Sequence, residues 1–176
     1  MSKIYWSGRE LIMEGVEVLF GTFRNFAGEK RKFNDAGKRN FNISIEPELI
    51  PELLKDNINV KYFKADLDDE DGDEKPGFVK INVNFGGRKD PEVFVRYGEN
   101  GKFTELNESL LSKLDTAVFD NVDLIVNPYR SQDDEGRERV TLYLNKGYFT
   151  LHMDPLAAKY EQAMTNGEEP EELPFD

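Results

Sequence analysis

Residues Val79 to Tyr97 carry the pattern that most narrows the fold. Val79, Ile81, Val83 and Phe85 alternate with Lys80, Asn82 and Asn84; Gly86-Gly87 reverses the chain; then Val93, Val95 and Tyr97 resume the alternation with Phe94 and Arg96 between them. Successive side chains of a strand point to opposite faces, so a period of two predicts two half-exposed strands. Their inner face is apolar and their outer face is polar without being acidic. The same period recurs in Val16, Val18 and Phe20, in Phe41, Ile43 and Ile45, in Val60 and Tyr62, in Val122, Leu124 and Val126, and in Val140, Leu142 and Leu144. Helical spacing is confined to short runs: Leu49, Ile50, Leu53 and Leu54, where Pro51 is expected to break the helix early, and Leu106, Leu110, Leu111 and Leu114. A C-terminal helix is better punctuated. Asp154 can cap it, Pro155 suits its first position, Leu156, Tyr160, Ala163 and Met164 form an apolar stripe, and Asn166-Gly167 stops it. Six or so short strands with a few small helices and no βαβ rhythm predict a mainly β fold, a small barrel with helical additions. The expected organisation is an N-terminal arm over 1–15, which lacks a clean period, one domain over 16–166, and an acidic tail over 167–176 with nothing to bury and hence disordered.

The stretch Phe20 to Ile45 sets five phenylalanines (Phe20, Phe23, Phe26, Phe33, Phe41) among six bases (Arg24, Lys30, Arg31, Lys32, Lys38, Arg39), with Glu29 and Asp35 as its only acids. Aromatic rings offer platforms to unstacked bases and cations neutralise phosphates, so this composition suits a single strand of nucleic acid. Phe20 and Phe41 lie in phase with Val18 and Ile43 and are expected in the core. Phe23, Phe26 and Phe33 flank or occupy a long basic loop, Ala27 to Lys38, and are the stacking candidates. Gly21 interrupts the first strand and predicts a bulge or bend there.

A net charge of −12 is at odds with phosphate binding until its distribution is considered. Asp66 to Glu74 holds seven acids and no base, and Gly167 to Asp176 holds five acids and no base. Those twelve equal the entire net charge, leaving 23 acids against 23 bases elsewhere. The acidic loop fails the EF-hand spacing: with Gly72 at the sixth position, Leu67 and Phe78 would fall at the first and last ligand positions. His152 is the only histidine and there is no cysteine, which argues against zinc, disulfides and a cysteine nucleophile. Phosphate-loop and nucleophile-elbow patterns are missing, so no cofactor is expected and the chain does not read as an enzyme. No apolar run approaches a membrane span and MSKIYWSGRE has no signal-peptide core, so a cytoplasmic protein without a membrane partner is expected.

Three patches give the chain a family likeness: FRNFAGEKRKFNDAGKRNF (Phe23 to Phe41), VDLIVNPYR (Val122 to Arg130) followed by a short closing hairpin, and the acidic end. On these residues it resembles bacteriophage single-stranded DNA-binding proteins of the OB-fold type. The resemblance implies an OB-like barrel whose first hairpin and loop line the DNA groove, with Phe23, Arg24, Phe26, Lys30, Arg31, Lys32, Phe33, Lys38 and Arg39 as the matching positions. It also implies a role in phage DNA replication or recombination, with the tail recruiting proteins of those processes through Glu171, Glu172, Leu173, Pro174 and Phe175. Asp176 departs from the related tails that end on the aromatic residue. Nothing in the sequence sets an oligomeric state. The rival reading is an acidic inhibitor that imitates DNA and occupies a host enzyme's nucleic-acid cleft. Such a mimic would spread its acids over folded elements, whereas here twelve lie in two segments.

Overall fold

The computed structural model describes residues 2–64, 75–154 and 156. The acidic segment Asp66 to Glu74, the body of the expected C-terminal helix and the tail from Gly167 lie outside the described residues. In chain order the elements are β1 (Lys3–Ser7), β2 (Glu10–Glu14), β3 (Glu17–Val18), β4 (Arg24–Asn25), β5 (Arg39–Ile45), α1 (Ile50–Lys55), β6 (Lys61–Tyr62), β7 (Gly77–Val83), β8 (Glu92–Tyr97), β9 (Thr104–Glu105), β10 (Phe119–Gln132) and β11 (Glu138–Leu151).

Hydrogen-bonded neighbours run β1-β2-β10-β11-β7-β5-β3. Every pairing on this path is antiparallel except β7 with β11, where Asn82 faces Tyr143 in parallel register. β2 and β3 are two halves of one strand, bent at Gly15, whose φ of 64° is readily available only to a residue without Cβ. One half pairs with β10 and the other with β5, while the Val16 amide donates to the Val122 carbonyl at 3.0 Å, so the sheet curls back onto its own first strand. This mainly β, partly open barrel is the predicted class. The inward faces pack Leu11, Met13, Phe41, Ile43, Val79, Ile81, Val122, Leu124, Leu142 and Phe149 into one core. Each such side chain contributes about 1.5–3 kcal/mol when fully buried.

Three local expectations are corrected. Residues 3–14 form the β1–β2 hairpin, with Leu11 and Met13 in the core; Tyr5 and Ile12, apolar residues paired on its other face, hid the alternation. Pro51 does not break the helix. It occupies the first turn of α1, where no amide hydrogen is needed, and the chain enters through a 3-10 turn at Pro47–Leu49. The run from Leu106 to Leu114 is a 3-10 helix, Glu108–Asp115, that buries Leu111 and Leu114.

Candidate nucleic-acid interface

The basic stretch separates into buried and exposed halves. Arg24 is 1% exposed: its Nε donates to the Leu19 carbonyl at 2.8 Å, Nη1 to those of Leu114 (2.9 Å) and Ala117 (2.6 Å), and Nη2 to that of Val18 (3.2 Å). Burial lowers its pKa and Asp115 opposes the shift. Arg24 is therefore an internal brace, not a phosphate contact. Phe26 is also misplaced as a stacking candidate: it is 0% exposed, stacked on Phe41 at 4.8 Å and edge-on to Phe149 at 6.0 Å. The amides of Phe26 and Ala27 both donate to the Asp115 carboxylate, which ties this segment to the 3-10 helix. Phe41 is core, as its parity predicts, but Phe20 is 57% exposed. The strand ends at Val18, Gly21 turns the chain with a φ of 69°, and the Phe20 ring lies 4.3 Å from the Arg24 guanidinium.

The loop after Phe26 is held by carboxamides. Asn25 and Glu29 exchange two hydrogen bonds, of 2.9 and 2.8 Å, and the Asn34 amide group donates to the carbonyls of Glu29, Asp35 and Lys38. Asn40, on the outer face of β5, donates to Asn34 Oδ1 at 2.9 Å and folds the loop over that face. Lys30 and Lys32 are left exposed, and Phe33, 91% exposed, carries the Lys32 ammonium 5.4 Å from its ring centre. Arg31 turns inward and donates to the carbonyls of Thr22 and Arg24. Arg39 pairs with Glu108 at 2.8 Å and lies against Phe85, while its Nε is buried without a partner among the described residues. Lys38 is exposed, 3.5 Å from Asp35.

Sequence reasoning missed the part of this surface supplied by β6, β7 and β11. Phe23 is half-buried and meets Phe78 at 5.1 Å and Phe63 at 5.7 Å, a ring cluster on the outer side of β7. Beside it a cleft of about 610 Å³ is bordered by Asn57, Lys61, Lys80, Asn82 and Arg139. The Lys80 ammonium is held below its ordinary pKa, first by burial and then by the charges of Lys61, Lys38 and Arg139. Glu138, which also lines the cleft, accepts from Arg130 (2.6 Å) and Asn57 (3.0 Å), and Asp133, in the β10–β11 turn, accepts from Arg137 and from the amides of its own turn. Lys80, Asn82 and Phe78 share the polar face read from the alternation; Lys61 and Arg139 come from strands too short or too irregular for periodicity to orient. Among the described residues no group of carboxylates and histidine is placed to hold a metal ion.

The chain matches, over residues 1–171, the family model described as "Putative phage ssDNA-binding domain". Its fold is similar to that of the single-stranded DNA-binding protein from bacteriophage Enc34 in a C-terminally truncated form, with a TM-score of 0.50 at 11% identity, covering 85% of this chain and 89% of that one. The Enc34 protein in complex with ssDNA gives a TM-score of 0.50 at 12% identity, covering 85% of this chain and 90% of that one. No curated protein sequence matches. An outer barrel face with clustered cations and rings, a curled β sheet of this order and a family match over nearly the whole length lead to one assignment: the chain belongs to the phage ssDNA-binding domain family.

Proposed function

We propose that this chain is a non-enzymatic, largely sequence-independent binder of single-stranded DNA, acting in phage replication or recombination. The carrying observation is the concentration of Lys61, Lys80 and Arg139 around one cleft on the outer face, with Lys38 close enough to act on Lys80. Gathering like charges on one face disfavours the folded chain by itself, and a polyanion relieves the repulsion. Phosphates would run past these cations while bases stack on Phe23, Phe63 and Phe78, with Lys30, Lys32 and Phe33 reaching over from the loop. The strand-2/strand-3 face and the first loop are the surfaces by which OB barrels take oligonucleotides, and here they correspond to β5, β7 and Ala27 to Lys38. A gel-shift series with labelled oligo(dT), matched RNA and duplex DNA tests the reading. Retarded oligo(dT) with weaker duplex binding is expected; no shift of oligo(dT) at low salt refutes it.

In this reading the tail, Gly167 to Asp176, is a tethered competitor. Covalent attachment to the domain gives the five acids an effective concentration on the order of millimolar, enough to occupy part of the cationic face when DNA is absent. DNA would displace the tail and free Glu171, Glu172, Leu173, Pro174 and Phe175 for replication or recombination proteins, because competition for one surface is reciprocal. Removing residues 167–176 should tighten oligo(dT) binding at low salt, with the gain vanishing near roughly 0.5 M, where screening lengths fall to about 4 Å. Equal binding by both forms at every salt concentration refutes the competition.

A further inference from the structure

Past the cleft, the outer face of β11 leads to a second group of rings. β11 pairs along one edge first with β7, Tyr143 opposite Asn82, and then with β8, Tyr148 opposite Phe94. Tyr143 and Tyr148 are an odd number of residues apart and would face opposite sides of a regular strand. A bulge at Asn145, between the Val126–Leu144 and Ile125–Lys146 pairs, absorbs the difference. Leu142, Leu144, Gly147 and Phe149 are all buried, so both tyrosines stand on the outer face. Tyr148 stacks on Phe94 at 5.2 Å and 13°, Phe103 meets Tyr148 edge-on at 5.4 Å, and the Arg96 guanidinium lies 4.6 Å from the Phe103 ring centre. Arg96 Nε donates to Thr150 Oγ1 at 2.8 Å, and no carboxylate pairs with Arg96 among the described residues.

We propose that Phe94, Tyr148, Phe103 and Arg96 form a second subsite for the same DNA strand, reached only by oligonucleotides long enough to continue from the Lys80 cleft along β11. The inference rests on the single-strand reading above. Five residues of strand place the cluster about 17 Å beyond Tyr143. The cluster unites the two elements that single strands need, rings for bases and an unneutralised cation for phosphate. Glu105 on β9 faces Phe94 across the strand pair and is exposed, so its carboxylate repels phosphates and keeps the DNA on the β11 side. OB barrels occupy about 4–16 nucleotides, which leaves room for a short mode in the cleft alone and a longer one that includes this cluster.

The test measures the affinity of the full chain for oligo(dT) of about 5 and about 15 nucleotides, the two ends of that range. A Phe103→Ala, Arg96→Gln double variant should bind the short oligonucleotide like the parent and the long one about 5- to 150-fold more weakly, the loss of one stacked base. Glu105→Gln lies on an exposed edge and leaves the core untouched; it should tighten the long complex and not the short one. Changes of equal size for both lengths, or unchanged long-oligonucleotide binding in both variants at parental melting temperature, overturn the second subsite. Failure of the parent to bind either length overturns the underlying reading as well.

Discussion

Lys80→Gln separates what the cationic face does for binding from what it does to the fold. Its folded pKa lies below the usual lysine value, chiefly through burial and then through Lys61, Lys38 and Arg139. The unfolded chain therefore binds this proton more readily, and the charge disfavours folding at neutral pH, a penalty relieved as pH rises through the folded pKa toward 10.5. Removing the charge should raise the melting temperature at pH 7 while weakening DNA binding. If all four clustered cations contact phosphate, log K falls with log salt at a slope of about −2.8, and about −2.1 in the variant, taking 0.7 per contact on a single strand. Between about 50 and 200 mM salt the parent should then lose about 50-fold in affinity and the variant about 18-fold. Fluorescence anisotropy of labelled oligo(dT) across that range, with thermal melts of the same samples, measures both. A variant that melts lower than the parent and keeps the parental slope would show that Lys80 neither suffers the repulsion nor meets the phosphate.

Phe33→Ala and Phe26→Ala should behave in opposite ways. The exposed ring is expected to cost about 1–3 kcal/mol of DNA binding and no stability; the core ring about 3–5 kcal/mol of stability by chemical denaturation. Arg24→Met should destabilise by about 3 kcal/mol or more, because each buried carbonyl it leaves without a donor costs about 1–3 kcal/mol, while a folded population keeps the parental salt slope. Asp133 and Glu138 are held below the ordinary carboxylate range, Asp133 first by the Arg137 amide and Glu138 first by the Arg130 side chain. Depressed carboxylate pKa values stabilise the fold above the unfolded values and the effect is lost as pH falls through the folded ones. Amide protection factors at the β10–β11 turn should therefore fall below about pH 4 before those of the core amides follow.

How much of this surface is legible in the sequence depends on the range of the interactions that build it. Alternation is a local property, so β5, β7, β8 and the central part of β10 are readable, together with the polar outer face of Lys80 and Asn82. The carboxyl-rich segments and the exposure of Lys30, Lys32 and Phe33 follow equally from local composition. Arg24 and Phe26 could not be read in this way: one has a charge and the other a loop position that suit a ligand, yet each is buried by partners some 90 to 123 residues distant along the chain, Leu114, Ala117 and Phe149. The barrel decides their fate because its end must be filled by something and its carbonyls must find donors. The same long-range closure gathers Lys38, Lys61, Lys80 and Arg139, which come from four separated stretches, and a single extra residue, Asn145, turns Tyr148 outward. Periodicity can say which way a side chain points within one strand; only the pairing of strands decides which side chains meet, because that pairing is made by backbone hydrogen bonds between segments that share no local pattern.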